Sequence, residues 1–420
     1  MTNNKLPVVW KNYKVVDICD VYQPKTISTK ELLPNGQYYV YGANGKIGKY
    51  NKYNHKDSEI LVTCRGATCG TINKSEPFSW INGNAMVVHP LTDSLSSDFL
   101  FYYLHSVNFK PYISGSAQPQ ITRISLQPLE IDLPPLAEQK RIVEKIEEIF
   151  AKIDAGVEKL KSAQEKIKQY KQSVLHSAFT GKLYKTTEWK ELPLKDVCSI
   201  NPKTEIPELK EEDIVAFLPM PAVDAETNKY NEVYASFKSV KKGFTKFQNK
   251  DVLFAKITPC MENGKSCVVD NLLYNIGFGS TEFHVLRCSE NLLNKFIYFI
   301  ISSVSFRKLA KIKMTGAVGQ QRVPADFLKT FPISLPTFSE QERIVEEIEK
   351  KFTKADKMLD AVEKSLQLSE QLKQSVLKKA FEGRLVPQDP NDEPASVLLA
   401  RIKSEKQQNE KAKGKRNDRK

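Results

Sequence analysis

The stretch "LPPLAEQKRIVEKIEEIF" begins at Leu133, and "LPTFSEQERIVEEIEKKF" begins 202 positions later at Leu335. A repeat must be settled first, because each copy is one structural unit and the architecture follows from the number of units. Laid without gaps, residues 133–183 and 335–385 match at 23 of 51 positions, concentrated in "EQ-RIVE-IE" at the start and "KQSVL--AF-G-L" at the finish. What precedes each copy echoes more faintly. "WKNYKVVDIC" from Trp10 is similar to "WKELPLKDVC" from Trp189, "EILVT" from Glu59 to "DVLFA" from Asp251, and "FLFYYLHSVNFK" from Phe99 to "FIYFIISSVSFR" from Phe296. The offsets grow from 179 through 192 and 197 to 202, so the second copy carries insertions between shared segments. The order is globule, helix, globule, helix.

Pro134, Pro135 and Pro336 end the preceding globules, Ser339 is the expected N-cap, and Glu138 and Glu340 suit the positive end of a helix. Apolar residues then recur at alternating three and four. The first stripe is Val143, Ile146, Phe150, Ile153, Val157, Leu160 and Ile167, with Gln164 interrupting; the second is Val345, Ile348, Phe352, Ala355, Leu359, Val362 and Leu366. Gly181 and Gly383 stand where C-cap glycines belong. Heptad stripes of this length predict a coiled coil of helices about 65 Å long. Antiparallel pairing is expected, because the second globule leaves the far end of the first helix and enters the near end of the second. The predicted fold class is α+β: two mixed α/β domains separated by a long antiparallel two-helix coiled coil, a pseudo-twofold tandem duplication. The expected domains are 1–132, a helical spacer at 133–183, 184–334, a second helical spacer at 335–385, and a basic, partly disordered tail at 386–420. A short helix is expected around Ala395–Glu405 before the strongly basic stretch from Arg401.

The globules read as mixed structure. Short β-rich runs such as "QYYVYG", "EILVT", "AMVVHP", "DVLFAKI" and "EFHVLR" are broken by Gly, Asn and Pro, with one aromatic-rich helix near the end of each half. The longest wholly apolar run, Phe296 to Ile301, is far short of the roughly 20 residues of a membrane span, and the amino terminus lacks a signal-peptide core. A cytoplasmic protein without a membrane partner is expected. Seven cysteines without Cys-x-x-Cys argue against a disulfide framework and against zinc on that spacing; Cys64 and Cys69 read as core or loop thiols. Five scattered histidines form no legible metal site or triad, and His89 and His284 fall in strand-like runs as structural residues. "GKS" at Gly264 to Ser266 and "GANGKIGKY" from Gly42 both depart from the phosphate-loop pattern. Net charge is +13, of which the last twenty residues supply +6, nine Lys/Arg against three acids. Such a balance fits contact with phosphates at chosen places.

The chain resembles the DNA-specificity subunit of type I restriction-modification enzymes along its whole length. The resemblance rests on the duplicated "LPPLAEQKRIVEKIEEIF" and "KQSVLHSAFTGKL" segments behind each globule, supported by "RGATCGTI", "NGNAMVV", "FAKITPCMENGK" and "GFGSTEFHVLR". It implies that each globule is a target-recognition domain reading one half of a split site in double-stranded DNA, and that the helix pair fixes the unread spacer. It implies two adenine methyltransferase subunits docked on the rod, with two ATP-driven translocase and nuclease subunits in the full complex. This chain would then be no enzyme and hold no cofactor; S-adenosylmethionine, ATP and Mg would sit on the partners.

In the major groove, Arg or Lys suits guanine and Asn or Gln suits adenine, so loops with these residues are the candidate readers. The first globule offers Asn44, Lys46, Arg65, Thr68, Lys74, Asn82 and Asn84, with Gln118 and Gln120 in "GSAQPQIT". The second offers Lys256, Thr258, Glu262, Asn263, Lys265, Ser280 and Thr281, with Gln320, Gln321 and Arg322 in "TGAVGQQRV". Lys14, Lys241, Lys242 and Lys246 are candidates for phosphate. Because the loops of the two modules have diverged, an asymmetric site is expected. Tyr170, Leu175, Phe179, Leu377 and Phe381, off the stripe, are candidates for docking partner helices, with packing at the rod ends as the alternative. Two competing readings stand beside this one: a coiled-coil scaffold whose globules bind proteins, and a nuclease or transferase built around Glu262 and Lys265.

Overall fold

The computed structural model describes residues 7, 9–115, 118–183, 189–225, 229–231, 233–317, 319–393 and 397. It divides into two compact units, residues 1–159 with 364–420 and residues 160–363. The first half of the chain runs β1 (Lys11–Lys14), α1 (Val15–Ile18), β2 (Cys19–Tyr22), β3 (Tyr38–Gly42), β4 (Gly45–Tyr50), β5 (Ile60–Thr63), β6 (Ile72–Lys74), β7 (Trp80–Ile81), β8 (Ala85–Pro90), α2 (Ser97–Ser106), β9 (Glu130–Leu133) and the long helix α3 (Leu136–Phe179). The second half runs β10 (Lys190–Pro193), β11 (Cys198–Ile200), β12 (Ile214–Leu218), β13 (Val233–Ser236), α4 (Phe237–Val240), β14 (Thr245–Phe247), β15 (Val252–Ala255), β16 (Ser266–Val268), β17 (Gly277–Gly279), β18 (Phe283–Cys288), α5 (Asn294–Ser302), α6 (Val304–Ile312), α7 (Ala325–Thr330), β19 (Pro332–Leu335) and the long helix α8 (Phe338–Phe381).

The duplication reappears as topology. Strands β2-β8-β5-β6 form a four-stranded antiparallel sheet in the first unit, and β11-β18-β15-β16 form its counterpart in the second. A second sheet pairs β3 antiparallel with β4 and parallel with β7, matched by β12 with β13 and β17; the second unit adds β14 at the edge. In each unit a two-stranded ribbon, β1 with β9 or β10 with β19, brings the first and last strands of the globule together just ahead of the long helix. The largest step in the sequence offsets, from 179 to 192, falls ahead of Asp251, in the part of the second copy that carries β14.

Packing explains why the repeated helices match at their ends and diverge in the middle. In the first unit Ile142, Val143 and Ile146 from the start of α3 and Val376, Leu377 and Ala380 from the finish of α8 share one core with Phe99, Leu100 and Leu104 of α2. The second unit pairs the opposite ends: Val174, Leu175 and Ala178 of α3 with Ile344, Val345 and Ile348 of α8, against Phe296, Ile297 and Phe299 of α5. The ends are held to a sequence because each completes a globule's core.

The duplicated Glu-Gln is explained by the same junctions. Gln139 is fully buried, its Oε1 accepting from Ser96 N at 2.8 Å and its Nε2 donating to the carbonyls of Ser94 at 3.1 Å and Pro134 at 3.0 Å. Gln341 repeats this, accepting from Leu293 N at 2.8 Å and donating to Asn291 O at 2.9 Å and Pro336 O at 3.1 Å. Each glutamine thus joins the start of a long helix to the loop before the aromatic-rich helix, bonding backbone groups at both. A cation and ring motif also recurs. Lys373 lies 5.3 Å from the Phe150 ring and 2.6 Å from Asp154, while Lys171 lies 4.5 Å from Phe352 and 2.8 Å from Asp356.

Several expectations are corrected. Ser339 lies inside α8, and the cap is Thr337, whose Oγ1 accepts from Glu340 N at 3.4 Å while the Glu340 carboxylate accepts from Thr337 N at 3.1 Å, a capping box. Leu175 and Leu377 are buried core residues, and Phe179 and Phe381 pack edge to face on Phe296 and Phe99 at 5.4 and 5.3 Å. Of that group only Tyr170 is exposed, so core packing accounts for the other four. The tail does not begin at residue 386. Leu385 and Val386 pack on the first core, Gln388 donates to Glu138, and Arg141 grips Asp392 with two bonds of 3.2 and 2.6 Å. The basic stretch from Arg401, and all of the expected Ala395–Glu405 helix except Val397, lie outside the described residues. Gly181 and Gly383 do occupy the left-handed region, at φ 71° and 69°, immediately after the two long helices.

Candidate nucleic-acid interface

Several of the loops chosen from sequence gather at one end of the four-stranded sheet in each unit, and the backbone shows why. After β5 the chain turns through Cys64 to Arg65. Cys64 N donates to Asn84 O at 3.1 Å, Gly66 N to Pro119 O at 3.0 Å, and Ile121 N to Cys64 O at 3.0 Å. The loop "GSAQPQIT" is closed by reciprocal bonds between Ser114 and Gln120 of 2.9 and 2.8 Å, and Gln120 also bridges to Arg65. The β3–β4 turn joins the group through Thr63, whose hydroxyl donates to the Ala43 carbonyl, and through Asn73, which donates to Asn44 at 3.2 Å.

The second unit repeats the backbone bonds between these two loops. Lys256 N donates to Glu282 O at 2.9 Å, Thr258 N to Gln321 O at 3.0 Å, and Val323 N to Lys256 O at 2.9 Å. The loop "TGAVGQQRV" is closed between Thr315 and Arg322 by bonds of 3.0 and 2.8 Å, and Arg322 bridges to Ile257. Both loops turn on a glycine of positive φ, Gly115 at 85° and Gly316 at 118°, where a side chain would meet the carbonyl of Gln118 at 2.6 Å or of Gln320 at 3.0 Å.

The bridge has the same frame in both units and different chemistry. In the first, arginine stands on the loop after the central strand with glutamine opposite, Arg65 against Gln120. In the second, the arginine has crossed to the returning loop, Arg322 against Ile257. Their surroundings differ as well. Arg322 is clasped by Glu282, with Nη2 to Oε1 at 2.8 Å and Nε to Oε2 at 2.9 Å, and the guanidinium beside it holds the Glu282 carboxyl below the usual range. Arg65 has no such carboxylate among the described residues, and Asn84 occupies the place of Glu282.

Arg65, Thr68, Gln118 and Gln120 are exposed around the first bridge with Asn44; Asn263, Thr281, Gln320 and Arg322 are exposed around the second, with Lys256, Thr258, Ser280 and Gln321 half-buried. Others on the sequence-derived set are engaged elsewhere. Asn82 is buried and fully used, accepting from Ile27 N at 3.0 Å and Trp80 Nε1 at 3.1 Å, which makes it a strut of the globule. Lys74 lies opposite Ile60, at the other end of β5 from Arg65, and pairs with Asp98 of α2. Lys46 pairs with Glu76 above the Tyr39 ring. Glu262 pairs with Lys311 of α6, whereas Lys265 donates to the Met220 carbonyl at 3.0 Å, so these two are not assembled into a common centre. Lys241 is bound to Glu211 at 2.6 Å after α4, away from the bridge.

The histidines serve the frame. His284 is buried on β18, donating through Nε2 to Val323 O at 2.8 Å with Nδ1 against Asn201, and burial pushes its pKa down. On β8, His89 meets the buried Glu59 at 2.8 Å, and that hydrogen bond pushes its pKa up. Sequence reasoning missed Glu282 as a partner of Arg322. The available signal was its position, directly before a β strand at the place matched by Asn84.

What the fold and these loops define is a tandem duplication of a two-sheet globule, with one framework carrying two unlike sets of polar loop residues. A family model described as "Type I restriction modification DNA specificity domain" matches residues 7–165 and again 186–376, and the chain belongs to that family. Among curated relatives, the EcoAI specificity subunit of Escherichia coli is 34% identical over 263 residues, covering 52% of this chain and 44% of the relative. The EcoKI specificity subunit of Escherichia coli strain K12 is 27% identical over 384 residues, covering 83% and 81%. The match thus spans less than half the length of the EcoAI and EcoEI subunits, 44% in each case. Two solved structures share the fold at 17% identity. One, titled for complex assembly and conformational transition of the type I R-M system, has a TM-score of 0.67 and covers 90% of this chain and 99% of that one; the HsdS subunit from Thermoanaerobacter tengcongensis has a TM-score of 0.51, with 91% and 99% covered.

Proposed function

We propose that the chain is the non-catalytic DNA-specificity subunit of a type I restriction-modification complex, each globule reading one half of a bipartite, asymmetric site. The observation that carries this reading is the doubled bridge: one backbone frame, matched twice by the specificity-domain family, presents Arg65 with Gln120 in one unit and Arg322 with Glu282 in the other. Equal frames with unequal polar groups suit two different half-sites. The long helices act together as an antiparallel coiled-coil spacer that sets the distance between half-sites and docks two adenine methyltransferase subunits, with two translocase and nuclease subunits joining in the full complex. S-adenosylmethionine, ATP and Mg belong to those partners, and the methyltransferase withdraws the target adenine from the stack.

The test is an exchange of residues 1–132 for the first globule of a relative with a different site, followed by mapping of methyladenine in DNA modified by the assembled complex. One half-site should change while the other half and the spacer stay as they were. A scaffold whose globules bind proteins predicts no half-site switch, and that result would overturn the proposal. Methylation of DNA by the purified chain alone would reject its non-catalytic role.

A further inference from the structure

We infer that Arg322 reads a guanine in the half-site of the second globule and that Glu282 is its positioning residue; the inference rests on the DNA-reading role proposed above. A guanidinium has five N–H donors. Glu282 takes the Nε–H and one Nη2–H, at 2.9 and 2.8 Å, and the Gln320 carbonyl takes one Nη1–H at 3.1 Å. One N–H on each Nη remains, a pair of coplanar donors at the tip of the side chain. In the major groove, guanine presents two acceptors on one edge, O6 and N7, spaced for such a pair.

Glu282 is itself fixed. Its backbone N–H donates to Ser280 Oγ at 3.2 Å and its carbonyl accepts from Lys256 N at 2.9 Å, directly before β18. The arginine is therefore held from behind, and much of the rotamer entropy that a free arginine loses on binding is removed in advance. The pairing also neutralises a carboxylate that would otherwise repel phosphates. The first globule has Gln120 and Asn84 at these two places, so the device belongs to the second half-site alone.

The experiment uses the full chain assembled with its methyltransferase subunits, a DNA library randomised across both half-sites, and mapping of methyladenine. Arg322→Gln should lower the preference for guanine at one position of the second globule's half-site by about fivefold or more. Glu282→Gln should relax the same position by less, and the first half-site should be unaltered by either. The exchanged pair Glu282→Arg with Arg322→Glu keeps the ion pair and so separates reading from folding. It should lose the guanine while remaining folded by thermal unfolding. Guanine retained by the exchanged pair, or a wild-type half-site without a fixed guanine, would overturn the inference and leave the DNA-reading role standing. Wild-type methylation without any bipartite site would remove both.

Discussion

At the scale of single residues, two histidines respond to pH in opposite senses, His284 in the second unit and His89 in the first. His284 is held below the usual 6.5 by burial. An unfolded chain takes up a proton near 6.5 that the folded chain refuses, so this residue's contribution is present above that pH and is lost as pH falls. His284→Gln should flatten the decline in unfolding free energy of the second unit below about pH 6.5, measured by denaturant titration across pH. His89 is raised by its bond to Glu59, so its contribution is complete below 6.5 and is lost as pH rises through the folded value. Glu59→Gln should therefore weaken the first unit in mild acid more than in alkali. An unchanged pH profile in either variant would contradict these assignments. Both histidines were legible as strand residues, because "AMVVHP" and "EFHVLR" have strand composition. Their partners were not, since Glu59 and Val323 are remote in sequence and adjacent only through sheet pairing and loop return.

At the scale of elements, the helices were the readable part. Their heptad stripes fall on residues that are buried or half-buried throughout, and they end where Gly181 and Gly383 predicted. The reason for the doubled Glu-Gln was hidden, because a glutamine on a helix shows no distant partner in sequence. Gln341, itself fully buried, bonds three backbone groups, from Leu293, Asn291 and Pro336. Gln341→Ala leaves them without partners and should destabilise the second unit by about 3 kcal/mol, read by chemical denaturation. A loss under about 0.5 kcal/mol would mean that water replaces the side chain. The two glutamates beside these glutamines show how far a repeat can diverge in role. Glu340 caps Thr337, whereas Glu138 follows Pro135, which has no hydroxyl, and instead accepts from Trp10 at 3.1 Å. Strand pairing in the globules could not be read, because many of the strands are three to six residues long and their order is set by contacts across the chain.

For the whole molecule, the spacer proposal has a length prediction. Seven residues add about 10 Å of helix, close to the rise of three base pairs. A heptad inserted at matching depth in both α3 and α8 should lengthen the unread spacer by about three base pairs and leave both half-sites as they were, read by methyladenine mapping of the assembled complex. Changed half-sites with the original spacer would rule out the ruler. The crossed arginine of the bridge bears on how such a protein can acquire a new target. Because the two loops of a bridge come from distant stretches of chain, a graft that carries only one of them is mismatched: the returning loop of the second globule placed opposite Arg65 would set two guanidinium groups face to face, and the reverse graft would leave none. On the DNA-reading role proposed above, recognition is inherited by whole globules, and new specificities should arise by shuffling intact halves more readily than by trading single loops.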